Sequence, residues 1–117
     1  MSRPRLLIVD DEATLRDLLR RYLERAGYEV VAYARPEEAL AAFTADPQGF
    51  ALVITDLTLE SMSGEEMLER IRAQNPEIPA FIASGYPYVP RLERVGFLQK
   101  PFLPKMLTEA VERALKR

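Results

Sequence analysis

Short apolar runs alternate with amphipathic segments along this chain, and four of the runs stop at polar residues able to do chemistry. Arg5–Val9 stops at Asp10 and Asp11, Ala51–Thr55 at Asp56, Ala80–Ala83 at Ser84, and Phe97–Gln99 at Lys100. Short apolar runs bounded in this way read as buried strands, the pattern of a parallel sheet. Parallel strands share a direction, so the four endings fall on one carboxyl rim. Open α/β sheets bind ligands at that rim. Three carboxylates, a hydroxyl and an ammonium then converge, a set that suits a divalent cation and a phosphoryl group.

The intervening segments read as helices. Glu12 to Arg25 carries Leu15, Leu18, Leu19, Tyr22 and Leu23 at helical spacing, with Gly27 placed to end it. Tyr28–Tyr33 is a more mixed strand, nearer an edge. Pro36 opens the next helix, with Glu37 and Glu38 complementing its positive end and Leu40 and Phe43 on its buried side. Ser63-Gly64-Glu65-Glu66 has the form of a capping box and starts a helix through Gln74, with Met67, Leu68 and Ile71 inward. The last helix starts near Pro104, with Met106, Leu107, Ala110, Val111, Ala114 and Leu115 facing in. Such alternation predicts a doubly wound α/β fold with a parallel sheet covered on both faces. One segment breaks the rhythm. Only 15 residues, 85–99, separate Ser84 from Lys100, and they include Pro87 and Pro90. A crossover with its helix takes at least about 10–12 residues before any strand is counted. A stub or an irregular loop is expected where a full fourth helix would stand.

Composition narrows the chemistry. At 117 residues the chain fits one domain, residues 1–117. The net charge of −2, from 16 basic and 18 acidic side chains, leaves no footprint for nucleic acid. Cysteine and histidine are both absent, so any metal is held by oxygen, which selects a hard ion such as Mg2+. No apolar run approaches a membrane span, and Met1–Pro4 leads straight into a strand without a signal peptide. A cytoplasmic protein is the expectation.

Each polar ending also has an ordinary reading. Asp11 could simply cap the following helix. Asp56 and Thr58 could be turn residues, although the Thr58 carbonyl could also reach a metal held by Asp56. Serine followed by glycine, as at Ser84-Gly85, is common turn chemistry. Lys100 precedes Pro101, where a cis peptide is accessible. Two adjacent aspartates after an apolar strand repel one another unless a cation offsets them. All the endings in this order make a strong signal together.

The chain resembles the receiver domain of two-component response regulators, the module that accepts a phosphoryl group from a histidine kinase. The likeness covers residues 5–116. It rests on Ile8-Val9-Asp10-Asp11-Glu12, Ile54-Thr55-Asp56-Leu57-Thr58-Leu59 with Met62-Ser63-Gly64, Ala83-Ser84-Gly85, and Phe97-Leu98-Gln99-Lys100-Pro101-Phe102. The resemblance implies a flavodoxin-like sheet of five parallel strands in the order 2-1-3-4-5. It implies Asp56 as phosphoacceptor. Asp11, Asp56 and the Thr58 carbonyl would bind Mg2+, with Asp10 acting through a water. Lys100 would pair with one phosphoryl oxygen, and Ser84 would donate to another. Phe97 takes the position of the family's switch aromatic, though without a hydroxyl. Its plain alternative is core packing. Thr58 and Tyr86 flank the site and would modulate dephosphorylation. The implied partner is a histidine kinase or a histidine phosphotransfer protein. The last motif is similar to receivers of hybrid histidine kinases.

Two features depart from the family. Glu60 stands where a proline is common, and the 85–99 segment is short. The signalling surface is therefore expected to differ, with output through another face or a patch of Tyr86, Tyr88, Val89 and Leu92. A bared sheet edge could pair copies into a homodimer. Three other functions compete with this one. A haloacid-dehalogenase-type phosphatase needs a second aspartate two residues after the nucleophile, where Thr58 stands. A flavin carrier needs a phosphate-binding loop where Asp10-Asp11-Glu12 repels phosphate. A degenerate receiver acting only as a protein-binding scaffold is the remaining alternative, although every acceptor-site residue is present.

Overall fold

A computed structural model describes residues 3–116. Met1 and Ser2 of the opening run, and Arg117, lie outside the described residues. The element order is β1 (Arg5–Val9), α1 (Ala13–Arg25), β2 (Glu29–Tyr33), α2 (Pro36–Ala45), β3 (Leu52–Asp56), α3 (Gly64–Gln74), β4 (Ala80–Ser84), β5 (Val95–Gln99) and α4 (Pro104–Leu115). All pairings are parallel, and the sheet order is β2-β1-β3-β4-β5. This is the doubly wound α/β fold that the alternation and the resemblance called for.

Local chemistry explains the boundaries. Gly27, at φ 104°, ends α1. Its N–H donates to the Glu24 carbonyl and the Tyr28 N–H to that of Leu23, the paired bonds of a Schellman motif. At α3 the capping box is complete. Glu66 N–H donates to the Ser63 hydroxyl and Ser63 N–H to the Glu66 carboxylate.

Alternation along the strands divides the core in two. Leu7, Val9, Val53 and Ile82 pack against Ala39 and Phe43 of α2 and Met67, Leu68 and Ile71 of α3. On the other face Leu6, Ile8, Ile54 and Leu98 meet Leu19 and Leu23 of α1 and Leu107 and Val111 of α4. Not all expected inward residues are buried: Leu18 is 37% exposed and Met106 53%.

The β4–β5 crossover contains no helix among the described residues. β5 begins at Val95, two residues before the apolar run, which leaves residues 85–94 for the whole connection. Gly96 hid that start, because it supplies no side chain to the pattern. The Phe81 ring lies where a Cβ on Gly96 would stand. The irregular segment takes over part of the helix's covering role. Tyr88 and Leu92 pack inward against the α2/α3 core, so the expected four-residue patch is split. Only Tyr86, 60% exposed, and Val89, 84% exposed, face outward. Among the described residues, no helix is long and apolar enough to cross a membrane.

Candidate functional site

Register brings the strand endings to one rim. Asp56 pairs with Ala83 across β3 and β4, and Ser84 pairs with Gln99 across β4 and β5. Carboxylate oxygens of Asp10, Asp11 and Asp56 all lie within 4.8 Å of one another. The Lys100 ammonium lies 3.2 Å from Asp10 Oδ2 and 3.3 Å from Asp56 Oδ1. The Lys100–Pro101 peptide is cis.

Each carboxylate has its own setting. Asp10 is buried, and its Oδ1 accepts the Glu12 N–H at 2.9 Å. Its backbone is held from both sides. Asp10 N–H donates to the Tyr33 carbonyl, and the Arg16 guanidinium donates to the Asp10 carbonyl at 2.8 Å. Asp11 is exposed, and α1 receives no side-chain cap. The capping alternative for Asp11 therefore fails, and its carboxylate stands among the other two. Asp56 is partly buried at the end of β3. Buried Thr55 donates its hydroxyl to the Asp56 carbonyl at 2.9 Å.

Burial pushes the Asp56 carboxyl above the usual carboxylate range. Lys100 pulls it down, while the negative charges of Asp10 and Asp11 add to the rise. Burial works against the Lys100 charge, but Asp10 and Asp56 outweigh it and hold the ammonium above its ordinary value. One ammonium thus pairs with two members of a cluster of three carboxylates. The cluster retains negative charge, and its donors are all oxygens. That donor set fits a hard divalent cation such as Mg2+.

The remaining predicted residues lie on β4, on β5 and in the loops that follow β3 and β4. Ser84 is buried, its hydroxyl oxygen accepts the Tyr86 N–H at 3.2 Å, and its carbonyl accepts the Lys100 N–H at 2.7 Å. Thr58 is exposed in the β3–α3 loop and bridges to Ser63. Phe97 pairs with Ile82 in the sheet but belongs to neither core cluster, and it is only partly buried.

Sequence reasoning missed three contributors. Arg16 holds the Asp10 carbonyl. Gly64 packs on the Asp56 carbonyl so closely that a Cβ would overlap it, and its N–H donates to the Leu57 carbonyl at 2.7 Å. Glu65 is buried at 1% exposure and binds the segment after Ser84. Nothing in the pattern marked it, because a glutamate in a first helical turn reads as a dipole partner.

A family model for the response regulator receiver domain matches residues 6–112, and the chain belongs to that family. The receiver domain of the hybrid histidine kinase CckA is similar at 33% identity with a TM-score of 0.88, covering 96% of this chain and 99% of that one. The chemotaxis protein CheY4 of Vibrio cholerae is similar at 28% identity and a TM-score of 0.88, covering 97% of this chain and all of that one. Among curated proteins, the transcriptional regulatory protein FixJ of Bradyrhizobium diazoefficiens is 33% identical over 96% of this chain and 57% of its own length. The C4-dicarboxylate transport regulator DctD of Rhizobium meliloti is 31% identical over 95% of this chain but 25% of its own length. The chain thus spans a quarter to little more than half of these curated relatives. It is a signalling module of the two-component type.

Proposed function

We propose that residues 1–117 act as one phosphoacceptor unit, taking a phosphoryl group from a phosphohistidine onto Asp56 and relaying the change to a protein partner. The observation that carries this reading is the meeting of Asp10, Asp11 and Asp56 with the Lys100 ammonium on one rim. A carboxylate oxygen of Asp56 attacks phosphorus, the phosphorus–nitrogen bond breaks, and the donor imidazole departs. Asp10, Asp11, Asp56 and the Thr58 carbonyl form the set that would hold Mg2+, which when bound offsets their repulsion and the charge on the phosphoryl oxygens. The Lys100 ammonium pairs with one phosphoryl oxygen, and the Ser84 hydroxyl turns to donate to another. Phe97, partly uncovered, repacks as Ser84 moves. Thr58 and Tyr86 screen the acyl phosphate from water, so it is lost slowly by hydrolysis.

The donor imidazole comes from outside these residues, since they contain no histidine. A cleft of about 530 Å3 beside Lys100, lined by Leu15, Leu18, Pro101 and Phe102, offers a histidine kinase or histidine phosphotransfer protein an apolar seat next to the site. Cytoplasmic placement follows from that donor.

Incubation with acetyl phosphate, with and without Mg2+, tests the reading by intact mass. The mass rises by one phosphoryl group only with Mg2+, and Asp56→Asn abolishes the gain. Phosphoryl uptake that survives in Asp56→Asn overturns the assignment.

A further inference from the structure

Glu65 is the second residue of α3 and only 1% exposed, yet its carboxylate faces no cation of the acidic cluster. Its donors all come from the irregular β4–β5 segment. Arg91 N–H donates at 2.6 Å and Leu92 N–H at 2.9 Å, both to Oε2. The Tyr88 hydroxyl and the Arg91 Nε, at 3.4 Å, donate to Oε1. A buried carboxylate is tolerated only when its oxygens are satisfied in this way.

The far end of the same segment is tied to α3 as well. Arg72 donates to the carbonyls of Ile78, Glu93 and Arg94. At the near end, Leu57 N–H donates to the Ala83 carbonyl at 2.8 Å, and Tyr86 N–H donates to the Ser84 hydroxyl oxygen. The segment is therefore fixed to the Asp56 region along two routes. One runs through the β4 register and Ser84. The other runs through Glu65, whose neighbour Gly64 lies against the Asp56 carbonyl.

We infer that Glu65 is a positioning residue: by holding Tyr88–Leu92 against α3, it fixes the Ser84-Gly85-Tyr86 corner beside Asp56 and so sets how long the phosphoryl group survives. The inference rests on the phosphoacceptor reading of Asp56. Between Tyr86 and Tyr88 stands only Pro87, so freedom at Tyr88 passes directly to the corner. With the carboxylate in place, the corner that follows Ala83, the strand partner of Asp56, keeps its Tyr86 N–H on the Ser84 hydroxyl oxygen. Without it, water reaches the acyl phosphate more often.

The test compares wild type, Glu65→Ala, Glu65→Gln and Tyr88→Phe. Each is loaded with acetyl phosphate and Mg2+, the donor is removed, and phosphoryl loss is followed by intact mass. Amide exchange at Arg91 and Leu92 is read in parallel. In Glu65→Ala, phosphoryl loss accelerates by about threefold or more and exchange at both amides by about tenfold. Glu65→Gln, which keeps an acceptor oxygen, recovers part of the lifetime. A residue that merely stabilised the fold would lower the melting temperature without this graded recovery. Should Glu65→Ala fail to fold, the ordering wild type, Tyr88→Phe, Glu65→Gln from slowest to fastest loss supports the inference, and equal half-lives overturn it. Uptake by wild type with an unchanged half-life in every variant sinks this inference alone. A wild-type chain that gains no phosphoryl group sinks the reading of Asp56, and this inference with it.

Discussion

At the scale of single residues, charge balance governs the site. The raised Asp56 carboxyl shows that its ionised form is penalised in the fold, by burial first and by Asp10 and Asp11 as well. A carboxyl raised on folding gives stability that grows as pH falls through its folded value and is absent at neutral pH. Asp56→Asn is therefore expected to melt higher than wild type in metal-free buffer at pH 7. Differential scanning calorimetry with a chelator checks this, and a lower melting temperature contradicts it. Lys100→Met has the opposite effect. It strands buried Asp10 beside Asp56, with an expected loss of about 1–3 kcal/mol in urea unfolding, partly restored by Mg2+. Glu65 carries the reverse sign to Asp56. Burial raises its carboxyl, but the donors from Tyr88, Leu92 and Arg91 outweigh burial and bring it below the ordinary value of 4.5. Its stabilisation is complete above that value and is lost as pH falls through the lower, folded one. Glu65→Gln is thus expected to melt below wild type at pH 7, with the gap closing as the medium is acidified below about 4.5.

At the scale of elements, close backbone packing matters most where α3 meets β3. A methyl at Gly64 would overlap the Asp56 carbonyl and crowd the Thr55 side chain. Gly64→Ala is expected to cost about 1–3 kcal/mol in urea unfolding and to slow phosphoryl uptake, because the acceptor's own backbone has to shift. The elements themselves were largely legible in the sequence. Apolar runs ending in Asp56 and Ser84 marked β3 and β4, and Ser63 with Glu66 marked the start of α3. The short distance from Ser84 to Lys100 foretold the missing helix. The anchoring of the β4–β5 segment was not legible. Glu65 and Arg72 lie on α3 like any solvated helical charges, and only the tertiary fold brings Arg91 and Glu93 to them. The inward turn of Tyr88 and Leu92 escaped for the same reason, since an aperiodic stretch carries no signal of facing.

For the whole molecule, two cores on opposite faces support the sheet whose strand ends form the rim, while the crossover is irregular. The acidic rim was predictable because a parallel sheet forces β1, β3, β4 and β5 to end together. The order of those strands came from the likeness to receivers, since strand–helix alternation alone permits several windings. β5 is an outer strand and carries no charged side chain from Val95 to Gln99. Pairing of copies along that edge is expected to grow with concentration. Light scattering over a dilution series checks it, and a constant monomer mass with and without phosphoryl excludes it. The double attachment of residues 85–94 to α3 has a last consequence. An aperiodic surface stretch is ordinarily where a protease nicks a folded chain. Here cleavage has to wait until Arg72 and Glu65 let go together, so resistance to trypsin at Arg91 and Arg94 becomes a gauge of how firmly α3 is seated.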